Sequence, residues 1–175
     1  MTKHSSAWDG ILDTDEEILW QGRPNPGFAF RPSMIFTTLF GLAFAAFALF
    51  WMVMAASAGG YFWMFGLLHF AVGVGIIAGA VFFPSFKRRR TWYTLTNRRA
   101  FIATELPMLG KKLKSYPVTP DTPIEFRDDP IPSVMLASET KRGKNSTYTV
   151  PIGFELIHDA RKVLTLLRSV QKDQK

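Results

Sequence analysis

The chain has 175 residues, no cysteine, and 21 lysines and arginines against 14 aspartates and glutamates. Its charges are unevenly distributed, because the 55 residues from 32 to 86 contain none. The helices and strands of a soluble domain need a solvated face, so this gap argues against an ordinary soluble enzyme. The absence of cysteine also excludes a disulfide scaffold, thiol catalysis and cysteine metal sites.

The charge-free region divides the chain into three predicted parts. Residues 1–31 carry a net charge of −2 and are expected to form a cytoplasmic N-terminal segment. Residues 32–86 are expected to form a transmembrane hairpin of two helices. Residues 87–175 carry a net charge of +9 and are expected to form a small cytoplasmic domain.

Two uncharged stretches, residues 33–56 and 61–83, are each long enough to cross a hydrocarbon core of about 30 Å at about 1.5 Å per residue. Residues 57–60 include two glycines and predict a tight turn between them. Aromatic residues mark the expected membrane boundaries: Trp51, Tyr61, Trp63, Trp92 and Tyr93. The alternative, a buried two-helix core of a soluble protein, is disfavoured because neither stretch has a polar stripe.

Basic residues predict the orientation of this hairpin. The turn carries none, whereas Arg23 and Arg31 precede the first span. Because positive residues stay inside, we expect both termini to be cytoplasmic. The basic residues that follow the second span are Lys87, Arg88, Arg89, Arg90, Arg98 and Arg99.

Small residues recur at four-residue spacing in both predicted helices. Gly41 and Ala45 lie on one face of the first helix, and Ala71, Gly75 and Gly79 lie on one face of the second. Such faces allow helix backbones to approach closely. The favoured interpretation is that the two helices pack on each other, and the alternative is a homo-oligomeric contact.

Within the charge-free region, His69 is the ionisable residue expected at membrane depth. Intramembrane ionisable residues often serve transport or proton relay. His69 has no acidic residue beside it in the sequence, so a packing role is favoured.

The C-terminal part has the pattern of a small α+β domain. Its apolar residues follow helical spacing from about residue 155 to 171, which predicts a C-terminal amphipathic helix. Residues 141–146 predict a hairpin turn. Strands are predicted at residues 91–96, 100–105, 113–118, 124–127, 134–139 and 147–152. Short strands followed by one such helix favour a small barrel or sandwich that the helix covers.

Two segments resemble one family. Tyr93-Thr-Leu-Thr-Asn-Arg-Arg99, and Glu17-Ile-Leu-Trp-Gln-Gly-Arg-Pro24 before the hairpin, resemble bacterial pleckstrin-homology-like (PH-like) membrane proteins. The resemblance implies a partly open PH-like β-barrel of about seven strands, capped by the C-terminal helix, at the bacterial inner membrane. It implies no shared catalytic activity and leaves the strand layout of residues 105–132 open.

The inventory of reactive residues gives no case for an enzyme. The three histidines lie in three different segments, and no spacing indicates a metal site. Neither a nucleophile elbow nor a phosphate-binding loop is present. We therefore predict no catalytic residues, no metal and no cofactor.

Basic residues are the candidates for binding. Lys87, Arg88, Arg89 and Arg90 follow a span directly and are expected to contact anionic lipid head groups, at about 1 kcal/mol per residue. Further basic residues lie at predicted turns, where they form either a ligand-binding rim or an ordinary solvated surface: Arg98, Arg99, Lys111, Lys112, Lys114, Lys141, Arg142 and Lys144. Nucleic acid is disfavoured because aromatic residues do not interleave with them.

The favoured function is an integral membrane protein that presents a PH-like interaction module to a protein partner or to anionic lipid head groups. One alternative is an accessory subunit of a membrane complex, assembled through the transmembrane helices. The other is a transporter or membrane enzyme that uses His69.

Overall fold

A computed structural model gives the fold and describes residues 8–107, 109–143 and 146–174. The chain divides into two compact units. The helical unit is Pro26–Lys87, and the sheet unit combines the residues up to Asn25 with those from Arg88 onwards. The N-terminal segment is therefore part of the sheet unit.

The helical unit contains α1 (Pro32–Ser57), a short 3₁₀ turn (Phe62–Met64) and α2 (Phe65–Arg89), except that the last two residues of α2 belong to the sheet unit. Proline in the first turn of α1 suits a helix start, because its missing N–H would be unpaired there in any case. The reversal after α1 uses Gly59 and Gly60, whose φ angles of 84° and 79° favour glycine.

Among the described residues, two helical segments are long and apolar enough to cross a membrane, Pro32–Ser57 and Phe62–Arg89. Length and composition alone would also fit the core helix of a soluble protein or a signal sequence. Only 17% and 11% of their most apolar stretches are buried, however, whereas a core helix would be mostly buried. Their exposed apolar side chains need another apolar environment.

The contact between the helices is made by Gly41 and Ala45 of α1, which are buried, and by Gly73 of α2. A Cβ atom added to Gly73 would lie 2.8 Å from the Cβ of Ala45. Atoms added to Gly75 and Gly79 would meet nothing within 4 Å, and Ala71 is exposed. These last three residues therefore lie away from α1, which differs from the face that the four-residue spacing predicts.

The sheet unit contains two antiparallel sheets within the described part of the chain. The first sheet has the order β1 (Ile18–Gly22), β2 (Thr91–Thr96), β3 (Arg99–Leu106) and β4 (Gly110–Pro117). The second sheet has the order β5 (Glu125–Arg127), β6 (Ser133–Arg142) and β7 (Thr147–Phe154). Helix α3 (Ala160–Asp173) follows. The predicted α+β class is confirmed, β1 is additional to the predicted strands, and no closed barrel forms among the described residues.

The core of the sheet unit lies between the two sheets and α3. Each sheet contributes one face because strand side chains alternate, and α3 contributes one stripe. Aromatic contacts join the layers, since the ring of Phe154 lies 5.4 Å from Trp20 and 4.9 Å from Tyr93. Fully buried aliphatic side chains fill the centre: Leu95, Val118, Val134, Leu136, Val163 and Leu167.

Helix α3 begins five residues later than the amphipathic pattern predicts. Leu156 has a φ of 53°, which interrupts the helical conformation. Its N–H donates to Ser133 Oγ at 2.8 Å, and the N–H of Ile157 donates to Pro132 O at 2.9 Å. Ile157 is therefore buried in the core from a turn rather than from a helix.

Candidate binding groove

The outer face of the first sheet is apolar along one row. Tyr93 and Leu95 of β2 face the core, so Trp92 lies on the opposite face. Trp92 pairs with Ala103 of β3, which pairs with Leu113 of β4. An antiparallel sheet with one covered face usually carries polar residues on the other. This apolar row is therefore a candidate contact surface.

The N-terminal strap, residues 8–16, crosses part of this outer face. The Trp8 ring contacts the Phe101 ring edge to face, with centroids 5.3 Å apart. The strap turns just after Trp8, because the N–H of Ile11 donates to the Trp8 carbonyl at 3.0 Å. One end of the apolar face is thereby covered by the chain itself.

A buried ion pair anchors the strap. The Glu16 side chain is fully buried and accepts hydrogen bonds from Arg99, with Nη2 to Oε2 at 2.7 Å and Nε to Oε1 at 3.0 Å. Thr96 Oγ1 also donates to Oε1 at 2.6 Å. Burial raises the pKa of Glu16, but the hydrogen bonds from Arg99, Thr96 and the Asp13 backbone outweigh it and lower that pKa overall. The hydrogen bond to Glu16 raises the pKa of Arg99 in turn.

The rest of the outer face is an open groove of about 700 Å³, which is within the size range of ligand sites. The binding groove is defined by its apolar floor and its basic rim. The floor includes Trp92, Phe101, Ala103 and Leu113, and the rim includes Arg23 and Lys111. Trp8 and Ile11 of the strap line one part of it.

The rim has an excess of positive charge. The Arg23 guanidinium lies over the Trp92 ring, 4.8 Å from its centroid, in a cation–π contact. Lys111 Nζ lies 3.8 Å from Glu105 Oε1, so these two charges offset each other. Among the residues that the structure describes, Arg23 has no salt-bridge partner. The Lys112 side chain belongs to the opposite face of β4, with Lys114 and Tyr116. An anionic group bound in the groove would therefore meet Arg23.

The predicted basic residues around the second span have different surroundings. Lys87 and Arg89 are exposed, and Arg90 is half-buried. Arg88 is buried, and its Nε donates to the Asn25 carbonyl at 3.1 Å.

Arg98 and Arg99 also differ, although they are adjacent. Arg98 has 47% of its side chain exposed and lies 3.6 Å from Asp13, whereas Arg99 has 26% exposed and holds Glu16. Of the six predicted residues, Arg88 and Arg99 are therefore held by other groups of the protein, whereas Lys87, Arg89 and Arg98 are exposed.

The other basic residues predicted at turns also differ in their surroundings. Lys114 Nζ contacts Glu139 Oε1 at 2.6 Å, and Tyr116 Oη donates to the same carboxylate at 2.5 Å. Burial and this neighbouring carboxylate raise the pKa of Tyr116. Lys141 and Arg142 are exposed on β6, and Lys144 lies outside the described residues.

His69 lies among aromatic rings in the helical unit. Its Nδ1 is 3.3 Å from the Phe65 carbonyl oxygen, and its ring centroid is 5.0 Å from that of Phe65 and 6.2 Å from that of Phe44. These contacts within the described chain are those of a packed side chain.

The groove offers aromatic surface and cations, which suit non-covalent binding. In the described ranges, no group of three or more histidines, aspartates or glutamates could hold a metal ion. Comparison with known proteins gives no family model, no curated protein and no solved structure that matches this chain. Function is therefore inferred from the geometry and chemistry of the groove.

Neither the groove nor the strap is predicted by the sequence patterns described above. The alternation in residues 91–96 was a usable signal, since it places Trp92 on the face opposite Tyr93 and Leu95. No local signal marked the strap, because Glu16 and Arg99 are 83 residues apart.

Proposed function

We propose that the protein is an integral membrane protein that presents a PH-like interaction module at the cytoplasmic face, and that the binding groove captures a protein partner. The observation that supports this function is an open apolar groove on the outer face of the first sheet, with the Arg23 guanidinium at its edge. Exposed Lys87 and Arg89 add contacts to anionic lipid head groups.

The pairing of β1 with β2 supports the hairpin topology. Strand β1 precedes α1 and β2 follows α2, yet Gly22 pairs with Tyr93 in one sheet. Residues before and after the helices must then be on the same side of the membrane, which requires an even number of crossings. Cleavage of α1 as a signal sequence would remove β1 from the sheet. Seven strands followed by a C-terminal helix, as in the described part of the chain, are also what the resemblance to PH-like membrane proteins implies.

A reporter that is active only in the cytoplasm should be active when fused after Lys175. The same reporter inserted between Gly59 and Gly60 should be inactive, since that turn lies across the membrane under the positive-inside rule. Enzyme activity of both fusions in intact cells measures the topology. Activity at the turn with none at the C-terminus would contradict the proposed orientation.

Partner capture is tested by a photo-crosslinking residue in place of Leu113, which is exposed on the groove floor. The matched control replaces Tyr148, an exposed residue on β7 of the second sheet. In intact cells we expect a discrete protein adduct from position 113 and none of that mass from position 148. Identical adducts from both positions, or none from position 113, would contradict binding in the groove.

A second candidate function is an accessory subunit of a membrane complex, assembled through the helices. The observation that favours it is the small-residue face of Ala71, Gly75 and Gly79, which lies away from α1. Close approach of another helix would be easiest there.

A further inference from the structure

We infer that the partner protein adds a fifth strand to the first sheet, along the free edge of β4, through an extended segment with an acidic residue beside Lys112 and a large apolar residue beside Leu113. This inference rests on the proposed function and names the chemistry of the partner. It is carried by the unpaired edge of β4, by the apolar row that ends at this edge, and by a lysine that lacks an acidic neighbour among the described residues.

Strand β4 is a long edge strand. Within the described part of the chain, its eight residues pair with β3 alone, from Gly110 opposite Leu106 to Pro117 opposite Arg99. In an antiparallel pair, alternate residues direct both their N–H and their C=O groups away from the partner strand, so about half of the β4 residues present backbone groups at the edge. An extended chain can add there by hydrogen bonding.

The other edge strands are less suited to such an addition. Strand β5 has three residues, and β7 contains Pro151, which has no N–H to donate. Strand β1 has five residues, and a register shift between Ile18 and Trp20 interrupts its ladder. The pairing of β4 with β3 has no such shift, so β4 offers a regular edge of ordinary strand length.

The apolar row of the groove ends at this edge. Trp92, Ala103 and Leu113 are neighbours across β2, β3 and β4, and 44% of Leu113 is exposed. Cross-strand neighbours on one face of a sheet lie about 5 Å apart and stabilise the strand pair when both are apolar. A large apolar residue of the added strand, placed beside Leu113, would continue the row and bury this exposed side chain.

The lysines of β4 favour an acidic segment. Lys111 is directly opposite Glu105 of β3, with Nζ 3.8 Å from Oε1, and Lys114 Nζ lies 2.6 Å from Glu139 Oε1 of β6. Lys112 has no ion-pair partner among the described residues. An acidic residue on the added strand would give Lys112 the kind of partner that the other two lysines already have.

Strand alternation fixes where that acidic residue lies in the segment. Lys112 and Leu113 are adjacent, so their side chains are on opposite faces of β4. A strand added beside them alternates in the same way, and two adjacent residues of it lie beside these two. The segment therefore carries its acidic residue directly next to its large apolar residue.

Two other occupants fit this edge less well. In a second copy of the chain, β4 would bring its own three lysines to the edge and no acidic residue, and like charges directly opposite each other destabilise a strand pair. A lipid head group would satisfy the charge of Lys112 but would not pair with the backbone of the edge. An acidic extended segment satisfies the backbone, Leu113 and Lys112 together.

The test uses the full chain in nanodiscs of zwitterionic lipid and a fluorescent peptide of nine residues. The peptide has glutamate followed by phenylalanine at its centre and threonine elsewhere, because threonine favours strands. We expect saturable binding by fluorescence anisotropy. Replacing the glutamate by lysine should weaken binding at least about threefold, since a cross-strand attraction becomes a repulsion.

Backbone methylation distinguishes strand addition from other modes of binding. Successive amides of an extended peptide point to opposite sides, so methylation of every second amide blocks one side of the strand and leaves the other intact. Two complementary methylated peptides are compared with the parent peptide. One should bind at least about tenfold more weakly because it loses its hydrogen bonds to β4, and the other should bind nearly as well as the parent.

Variants of the protein locate the binding. Lys112→Glu should weaken the glutamate peptide at least about threefold and should strengthen the lysine peptide by a similar factor. Lys162→Glu makes a matched charge reversal on an exposed residue of α3 and should leave both affinities unchanged. Circular dichroism confirms that each variant is folded.

Four outcomes of the binding experiments would overturn the inference: no saturable binding, equal binding of the two methylated peptides, equal binding of the glutamate and lysine peptides, or equal effects of Lys112→Glu and Lys162→Glu. A crosslinker at position 113 that labels lipid or a second copy of the chain, instead of the peptide, would also overturn it. If that crosslinker still captures a partner protein in cells, the inference fails and the proposed function stands. If it captures none, the proposed function fails as well.

Discussion

Gly73→Leu is expected to separate the two apolar helices, whereas Gly75→Leu, two residues further along α2, is expected to leave them packed. A Cβ atom at Gly73 would lie 2.8 Å from the backbone nitrogen of Ala45 and 2.9 Å from its Cα. Backbone atoms cannot rotate away, so α1 must move. Overpacking of this kind costs about 1–3 kcal/mol, and a leucine is larger than the Cβ that already collides.

The pair of variants isolates the contact between the helices. Both substitutions gain about the same intrinsic helix propensity, about 1 kcal/mol, so a difference between them reports packing. Thermal unfolding of the detergent-solubilised protein should show a lower midpoint for Gly73→Leu than for Gly75→Leu. Equal midpoints would contradict the packing face described for α2.

Gly75→Leu also tests the accessory-subunit function. If that function is correct, the substitution should abolish crosslinking of α2 to helices of other proteins.

Arg99→Leu is expected to destabilise the sheet unit by about 3 kcal/mol, because it leaves the buried Glu16 carboxylate without its cation. This value is at the lower end for a broken buried pair, since a quarter of the Arg99 side chain reaches solvent. The adjacent Arg98→Leu is the matched control. Arg98 is about half exposed and faces Asp13 at 3.6 Å, so its loss should cost less than about 1 kcal/mol.

Chemical unfolding of the three proteins measures these differences, and similar losses in the two variants would contradict the anchoring role of Arg99. The double variant Glu16→Leu with Arg99→Leu should recover much of the stability, because it leaves no buried charge.

The contribution of Glu16 to stability depends on pH with a defined sign. The pKa of Glu16 is lowered in the folded state, so its contribution is present above the ordinary glutamate value of about 4.3 and is lost as pH falls through the lowered value.

Local patterns in the sequence predicted much of the fold. The gap in charge predicted the two long apolar helices, and alternation predicted β2 to β7 within a few residues. The start of α3 was missed because Leu156 is held by Ser133, which is 23 residues away. Strand β1 was missed because its partner lies beyond both helices, so nothing near Ile18–Gly22 in the chain indicates pairing.

The candidate site was less predictable because it depends on distant pairings. Arg98 and Arg99 look alike in the sequence, yet only Arg99 binds Glu16 of the strap.

The packing faces of the helices were equally hard to predict from the sequence. A four-residue spacing selected Gly75 and Gly79, whereas the buried glycines of α2, Gly66 and Gly73, are seven residues apart, which is two turns at 3.6 residues per turn.

The pairing of β1 with β2 also sets an order of events during synthesis. Gly22 and Tyr93 are partners although 70 residues lie between them. Strand β1 therefore leaves the ribosome well before the strand that will pair with it, and both apolar helices are made in the interval. Translation completes both helices first and the first sheet afterwards. In the proposed membrane protein, the helices would therefore be available for insertion before the domain that carries the groove can fold.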